Sequence, residues 1–211
     1  MSEDLIAKND WIKSEKRMSL IKDYKNELIC NFEQPFEEYF EKVIKLLDGL
    51  DFWDCPASTR FHGSEYGGLL KHSLNVLNIA RHILRIDESL FPFKIDKSSL
   101  FRAILFHDIC KCHCYQPNIL KNGSYSQATY TGKFKFVSDR GIGYHGDKSV
   151  ALLLEAGIKL NDEEINYIRW HMGPYTVEGM QTWNKIKSQF PEVEIMSICD
   201  QLASALEGSG D

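Results

Sequence analysis

The sequence predicts an all-α fold, a bundle of helices into which one small β-hairpin is inserted. Two observations support this prediction. Apolar residues recur at intervals of three and four through most of the chain, which is the spacing of one face of an α-helix. Between residues 111 and 143 the spacing is lost, and glycines separate two β-prone pieces, Ser124–Thr131 and Lys133–Val137. Short β-prone pieces between turn residues indicate a hairpin.

The chain length and the helical pattern predict one main domain with an N-terminal appendage. The chain has 211 residues, of which 43% are hydrophobic, enough to build one sizeable core. Residues 1–50 form predicted helices without candidate chemistry, and the last of these is amphipathic and ends near Gly49. We therefore assign residues 1–50 to a helical appendage and residues 51–211 to the main domain.

Five further helices are predicted in the main domain. They cover about 69–85, 97–109, 146–157, 162–171 and 192–206. Ser98 and Ser99 are candidate caps for the second of these, and Asn161 and Asp162 for the fourth, since short polar side chains favour helix starts.

Composition and charge exclude several classes of protein. The formal net charge is −5, whereas proteins that coat nucleic acid or anionic membranes need a basic face. Stable binding to nucleic acid or to a membrane is therefore not expected. No apolar run approaches the ~20 residues that span a bilayer, and the N-terminus lacks the pattern of a signal peptide. These features predict a cytoplasmic protein whose cysteines are reduced. An oligomer is compatible with them.

Six histidine and aspartate residues on separate predicted helices form the main candidate site. They are His72, His107, Asp108, His145, His171 and Asp200. Imidazole and carboxylate together suit divalent ions such as manganese, iron or magnesium, and a bundle can project such side chains into one cavity. The adjacent pair His107-Asp108 follows an apolar run, residues 103–106. Burying an ionisable pair there is costly unless an ion compensates its charge.

The order His…His-Asp…His…His…Asp resembles the HD superfamily of metal-dependent phosphohydrolases. The segment from Cys55 to Ser73 resembles the entry to the first ligand helix of small HD hydrolases, and is also similar to the HD domain of a 3′–5′ exoribonuclease family. His107-Asp-Ile-Cys-Lys111 resembles the HD-x-x-K form. Tyr144–Ser149 and Ile168–His171 resemble the additional histidine sites of two-metal members. Met172 stands where some cyclic-dinucleotide phosphodiesterases have a second histidine, which argues against that substrate.

This resemblance implies an HD-domain helical bundle and a phosphoester hydrolase with one or two divalent metals: manganese, iron or magnesium, with nickel or zinc as substitutes. By position, His72, His107, Asp108 and Asp200 would hold one ion. His145 and His171 would hold another, which Asp108 bridges. A metal-bound hydroxide would then attack phosphorus. The expected substrate is a nucleotide or a related small phosphate compound.

Four further residues are predicted to assist this chemistry. Lys111, close after the HD pair, is a candidate to contact phosphate and to act in catalysis with Asp108. Arg60 and His62, in the loop before His72, and Lys148, near a helix start, are candidate substrate-binding residues.

Other assignments are weaker or remain open. The run Cys110-Lys-Cys-His-Cys114 has the wrong spacing for a common zinc motif, and no second Cys/His pair follows at a suitable distance. Alternative functions are a single-strand RNA or DNA 3′–5′ exonuclease of HD type, a helical interaction module with structural metals, and a di-iron oxygenase.

Overall fold

The computed structural model describes residues 2–31, 36–85, 91, 93–126, 132–137, 141, 143–175 and 179–208. Over these residues the chain is a helical bundle with one two-stranded antiparallel sheet, which confirms the predicted fold class. The helices are α1 (Glu3–Lys13), α2 (Glu15–Asn31), α3 (Phe36–Gly49), α4 (Gly68–Ile83), α5 (Lys97–Phe106), α6 (His145–Glu155), α7 (Asp162–Trp170), α8 (Gly179–Gln189) and α9 (Glu192–Gly208). The strands are β1 (Tyr115–Pro117) and β2 (Phe134–Phe136).

The centre of the bundle consists of α4, α5, α7 and α9. Helix α4 packs along α9, and α5 packs along α7. Their facing side chains, such as Leu70, Ile104, Ile168 and Met196, are fully buried. Each fully buried aliphatic side chain of this kind contributes roughly 1.5–3 kcal/mol relative to an exposed one. This packing fixes the four helices that carry most of the candidate ligands.

The helix starts show where local sequence was sufficient and where it was not. Asn161 caps α7: its side chain accepts from the Glu164 backbone N–H, and its own backbone N–H donates to the Glu164 carboxylate. For α5 the predicted caps, Ser98 and Ser99, are wrong. Asp96 is the cap, and its carboxylate accepts from both of those backbone N–H groups. An ionised carboxylate accepts more strongly than a hydroxyl at a positive helix end.

Helices α2 and α3 share the core of the bundle. Tyr24 and Leu28 of α2 and Leu47 of α3 are fully buried in the same apolar cluster as the central helices. The Tyr24 hydroxyl donates to the main-chain oxygen of Leu105 in α5. Helices α2 and α3 thus pack on the central helices, whereas α1 buries none of its residues fully. The status of residues 1–50 as a separate unit stays a prediction.

The hairpin is present, but its first strand is not where the sequence pattern placed it. Lys133–Val137 contains β2 as predicted, and β2 pairs with β1, which precedes the Ser124–Thr131 piece. Within that piece Tyr125 forms a bridge to Ile119, and residues 127–131 lie outside the described residues. Strand β1 was not recognised in the sequence because it contains Pro117, which cannot donate a hydrogen bond to a neighbouring strand. Two further backbone hydrogen bonds extend the pairing of β1 with β2, from Val137 N–H to the Cys114 oxygen and from Asn118 N–H to the Lys133 oxygen.

Two other features complete the fold. Helix α8 was not predicted, because its 11 residues bury only Trp183 fully and leave a weak apolar stripe. None of the described helices is long and apolar enough to cross a membrane.

Candidate metal centre

The HD pair lies where α5 ends. The buried run Ala103–Phe106 completes the helix, and His107 is its C-terminal cap residue. Asp108 then leaves helical geometry, with φ −112° and ψ 10°, and a 3₁₀ turn follows over Ile109–Lys111. The predicted helix over 97–109 therefore ends early. This break turns the Asp108 carboxylate toward His107, and its Oδ2 lies 3.3 Å from His107 Nε2.

His107 and His171 are held in the same way. Each follows the last residue of a helix, and each Nδ1 bonds the main-chain oxygen three residues earlier, Ile104 at 2.7 Å and Ile168 at 2.6 Å. A carbonyl oxygen can only accept, so Nδ1 carries the proton in both rings. In the neutral ring, Nε2 then has the lone pair. Both Nε2 atoms are buried and make no hydrogen bond, although they face Asp108 oxygens at 3.3 and 3.5 Å, which is unusual for interior polar atoms.

The packing of α4 on α9 brings His72 to Asp200. His72 Nε2 lies 3.0 Å from Asp200 Oδ1, and both residues are buried. The other ring nitrogen, Nδ1, lies 3.2 Å from Oε2 of Glu207, which follows Asp200 by seven residues on the same face of α9. A carboxylate behind a histidine fixes the tautomer and makes the free nitrogen a better metal ligand.

Asp108 is the centre of the cluster. Its Oδ1 lies 2.6 Å from His145 Nε2 and 3.5 Å from His171 Nε2. Its Oδ2 lies 3.8 Å from His72 Nε2. The six predicted ligand residues are therefore together, with each of the four histidine rings within 4 Å of the Asp108 carboxylate.

Gly146 permits this approach. A Cβ atom at this position would lie 2.4 Å from the main-chain oxygen of Ile168, well inside contact distance. The start of α6 can therefore touch the end of α7. The rings of His145 and His171, on these two helices, lie 5.4 Å apart as a result.

Opposite charges stabilise one another inside the cluster. Burial alone would raise the pKa of Asp108. The charges of Lys111 and His107 lower it by more, so that the pKa of this carboxyl lies well below its usual value. Burial lowers the pKa of His107, but Asp108 opposes this and the net pKa is raised to about 10. Protons thus balance the carboxylates when no metal is bound. A divalent cation would displace them, as metal binding to histidine generally does.

The residues fit a metal by three independent criteria. The donors are imidazole and carboxylate, which bind transition metals and magnesium. Two of the imidazole nitrogens lack any other partner. Possible ligand atoms converge in the sets His72–His107–Asp108 and His107–His171–Asp200, in each of which all atoms lie within 4.8 Å of one another. His145 joins Asp108 and Cys110 in a third such set.

The four predicted assisting residues lie at different distances from this cluster. Lys111 Nζ is 2.7 Å from Asp108 Oδ2. The His62 ring lies 4.9 Å from that of His72. Arg60 is exposed, and its guanidinium stacks on the Phe61 ring at 4.6 Å. Lys148 lies in the first turn of α6, near His145. A role of any of the four in substrate binding stays a prediction.

Sequence reasoning missed residues that orient the ligands. Glu207 binds His72, and the Asn75 amide donates to Glu207 Oε1 at 2.6 Å. The Ser149 hydroxyl donates to the His107 main-chain oxygen at 2.6 Å and accepts from Cys110 N. The spacing of Asp200 and Glu207 on one helical face was the available signal, since residues seven apart share a face.

A cleft of about 1260 Å³ is lined in part by Glu207, whose carboxylate contacts His72, while the six candidate ligands are not among its lining residues. Asn75 and the loop carrying Arg60 and Phe61 also line it. The hairpin region contributes Tyr125 and Lys133 to its lining. A main-chain bond from Phe134 to Thr59 joins the hairpin to that loop.

Together, the helical bundle and the buried cluster define a protein built to hold divalent metal between helices. A protein-family model described as HD domain matches residues 69–205. The chain therefore belongs to the HD-domain family, as its motifs indicated. The match extends from α4 into α9 and includes all six candidate ligands, while Glu207 lies just beyond it.

A named relative is similar to the chain over a short region. It is the dihydroneopterin 2′,3′-cyclic phosphate phosphodiesterase of Methanocaldococcus jannaschii, 28% identical over 91 residues. The similarity covers 37% of this chain and 36% of the relative, so the chain spans about a third of that protein's length. No solved structure gives a significant match.

Proposed function

We propose that this protein is a metal-dependent phosphoester hydrolase that acts on a nucleotide or a related small phosphate compound. The observation that carries the proposal is the buried cluster around Asp108, in which two histidine Nε2 atoms have no partner. Leaving such atoms unpaired in the interior is costly. Metal binding removes that cost and explains why the chain keeps them there.

The residues divide into two ligand groups that share Asp108. We assign His72, His107 and Asp200, with Asp108, to one ion, and His145 and His171, with Asp108, to a second. Divalent metals in such a site would lower the pKa of bound water and offset charge on the phosphoryl oxygens.

Lys111 is assigned a neutralising role. Its ammonium group lies beside Asp108 and is mostly buried, with 15% of the side chain exposed. A phosphate that approaches the cluster would meet this cation at the edge of a carboxylate-rich site. Lys111 would therefore lower the electrostatic cost of bringing an anionic substrate to Asp108.

The cleft supports a substrate that is larger than phosphate and carries an aromatic group. The Phe61 side chain is 66% exposed and Leu206 is 59% exposed, and both line the cleft. Exposed aromatic and apolar side chains provide a stacking surface for a base. Asn75 and Asn78 add amide donors and acceptors on the α4 wall. A nucleotide combines the two features, a flat base and a phosphate.

Hydrolysis of a phosphodiester is included in the proposal. The relative from Methanocaldococcus jannaschii carries the name of a cyclic phosphate phosphodiesterase, which favours testing 2′,3′-cyclic phosphates beside monoesters. The alternative, a 3′–5′ exonuclease, has less support, because the net charge of −5 disfavours single-strand binding.

The test is a substrate panel on protein loaded with defined metals. Protein is stripped of metal, then loaded separately with manganese, iron under anaerobic conditions, and magnesium. Each form is assayed on nucleoside monophosphates, 2′,3′-cyclic phosphates, and short single-stranded RNA and DNA. We expect metal-dependent release of phosphate, or opening of the cyclic ester. Processive shortening of RNA or DNA would favour the exonuclease. Protein that binds these metals yet cleaves none of the substrates would refute the proposal.

A further inference from the structure

A second group of side chains of the types that bind metals lies next to the HD segment. The turn after α3 supplies Asp51 and Cys55, and the segment after Lys111 supplies Cys112. One carboxylate oxygen of Asp51 and the two Sγ atoms all lie within 4.8 Å of one another. Both cysteines are buried and Asp51 is exposed, so the group has a route to solvent.

His113 extends this group. Its Nδ1 lies 3.5 Å from Asp51 Oδ2, and its Nε2 lies 3.2 Å from the Gly49 main-chain oxygen. That oxygen can only accept, so Nε2 carries the proton and the Nδ1 lone pair faces a carboxylate. Two electron-rich groups at this distance repel unless a cation or a second proton lies between them. A histidine that donates one nitrogen to a carbonyl and presents the other is a common arrangement for metal ligands.

The backbone at this place is also unusual. Asp51 (φ 55°) and His113 (φ 60°) are the non-glycine residues with positive φ in the part of the chain that the structure describes. The two contact each other, and the His113 main-chain N–H donates to Asp51 Oδ1 at 3.3 Å. Left-handed residues of this kind persist where surrounding interactions hold them.

We propose that Asp51, Cys55, Cys112 and His113 form a structural zinc site, separate from the HD centre. Asp51, Cys55 and Cys112 already converge, and the exposed ring of His113, held beside Asp51, would turn toward them to complete a four-ligand set. Thiolate ligands favour zinc over manganese or magnesium. The sequence offered no second pair for the run Cys110–Cys114. The fold supplies it from the turn after α3, 57 positions before Cys112 in the chain.

The site ties two parts of the molecule together. The turn that carries Asp51 and Cys55 follows α3, the last of the N-terminal helices. Cys112 and His113 directly follow Lys111, and Cys55 Sγ lies 3.5 Å from the Lys111 main-chain oxygen. Zinc would therefore fix the N-terminal helices to the segment that follows Asp108. This inference does not depend on which phosphoester the HD centre cleaves.

The experiment uses the full-length chain and measures zinc together with a thiolate signal. Metal is removed, cobalt(II) is added as a spectroscopic substitute, and thiolate-to-cobalt charge-transfer absorption is recorded. Zinc content is measured on untreated protein. Because Cys110 lies beside His145 in the HD centre, both measurements are repeated in Asp108→Asn. We expect about one equivalent of tightly held zinc per chain, and a cobalt–thiolate band that survives Asp108→Asn.

The variants separate this site from an accidental cluster. Cys55→Ser with Cys112→Ser should abolish the cobalt–thiolate band, and Cys30→Ser, which removes an exposed thiol of α2, should leave it unchanged. His113→Asn removes the imidazole and keeps a residue type that tolerates the left-handed backbone, so it should fold normally and weaken zinc binding at least ~10-fold. A full band in the double variant, unchanged zinc affinity in His113→Asn, or a Cys55–Cys112 disulfide in zinc-free protein as isolated would overturn the proposal.

Discussion

The contact between Glu207 and His72 provides the most specific test of the metal centre. The two oxygens of Glu207 serve two donors: Oε2 faces His72 Nδ1 at 3.2 Å, and Oε1 accepts from the Asn75 amide at 2.6 Å. Glu207→Gln keeps the size of the side chain but leaves one acceptor oxygen for two donors. One of the donors must then face an NH₂ group, and the negative charge behind His72 is lost.

The expected effect is on metal affinity. Loss of a carboxylate that orients a ligating histidine typically lowers metal affinity 10–100-fold, which corresponds to about 1.4–2.8 kcal/mol. The pKa of Glu207 is lowered chiefly by its bond to His72, against the opposing effect of burial, so the carboxylate is charged at neutral pH. The assay is chelator competition with manganese, which gives the dissociation constant of the tighter site directly.

The control is the same substitution elsewhere on α9. Glu194 forms an exposed ion pair with Lys187 at 2.6 Å, and exposed pairs of this kind contribute little. Glu194→Gln should bind metal like the unaltered protein. If Glu207→Gln also keeps full manganese affinity, His72 does not ligate the metal in the orientation described.

Four further substitutions test the metal centre, the cleft and the packing of α2. Asp108→Asn should lose metal, and its activity should fall at least ~100-fold, which is roughly 3 kcal/mol in the activation barrier. Lys111→Ala should retain metal and lose only ~10-fold in turnover, as expected for the loss of one charge-assisted contact. Elemental analysis and steady-state kinetics distinguish the two variants, and the reverse ranking would contradict the assignments. Phe61→Ala should raise KM about 10-fold for substrates that contain a base, because stacking of a base on an aromatic ring contributes ~1–3 kcal/mol. The KM for an aliphatic phosphoester should stay constant, and equal changes in KM for both substrates would exclude stacking. Tyr24→Phe removes the bond to Leu105 and should destabilise the chain by about 1 kcal/mol, seen as a Tm lower by roughly 2–4 °C; an unchanged Tm would mean that the bond contributes nothing to the docking of α2.

The convergence of the six candidate ligands could be predicted from the sequence, because they follow local or family patterns. His107 and Asp108 follow a buried apolar run at a helix end, and the order of the other ligands matches a family pattern. The central helices were predictable for the same reason, since α4, α5, α7 and α9 each bury a regular apolar stripe. Periodicity is a property of the chain itself, so it needs no knowledge of tertiary contacts.

The features that sequence reasoning missed depend on contacts between distant segments. Glu207 resembles any surface glutamate until α9 is packed against α4, which brings it to His72 and Asn75. Strand β1 contains Pro117 and has little β-propensity of its own, and its pairing depends on β2. Asp51 and Cys112 meet only when the turn after α3 folds against the HD segment. A local pattern can place Glu207 on the face of α9 that carries Asp200, but it does not identify the partners that the tertiary fold brings together.

The helix ends at the metal centre impose an order on binding events. His107 and His171 follow the C-terminal ends of α5 and α7, and a helix C-terminus carries partial negative charge. Asp108, Asp200 and Glu207 add carboxylate groups to the same region. When metal is absent, protons on the histidines balance these carboxylates and no divalent cation faces the substrate phosphate. We therefore expect ordered addition, with metal first and phosphoester second. Calorimetry with an uncleaved phosphonate should detect no binding to chelator-treated protein, and measurable binding there would mean that the site accepts its two components in either sequence.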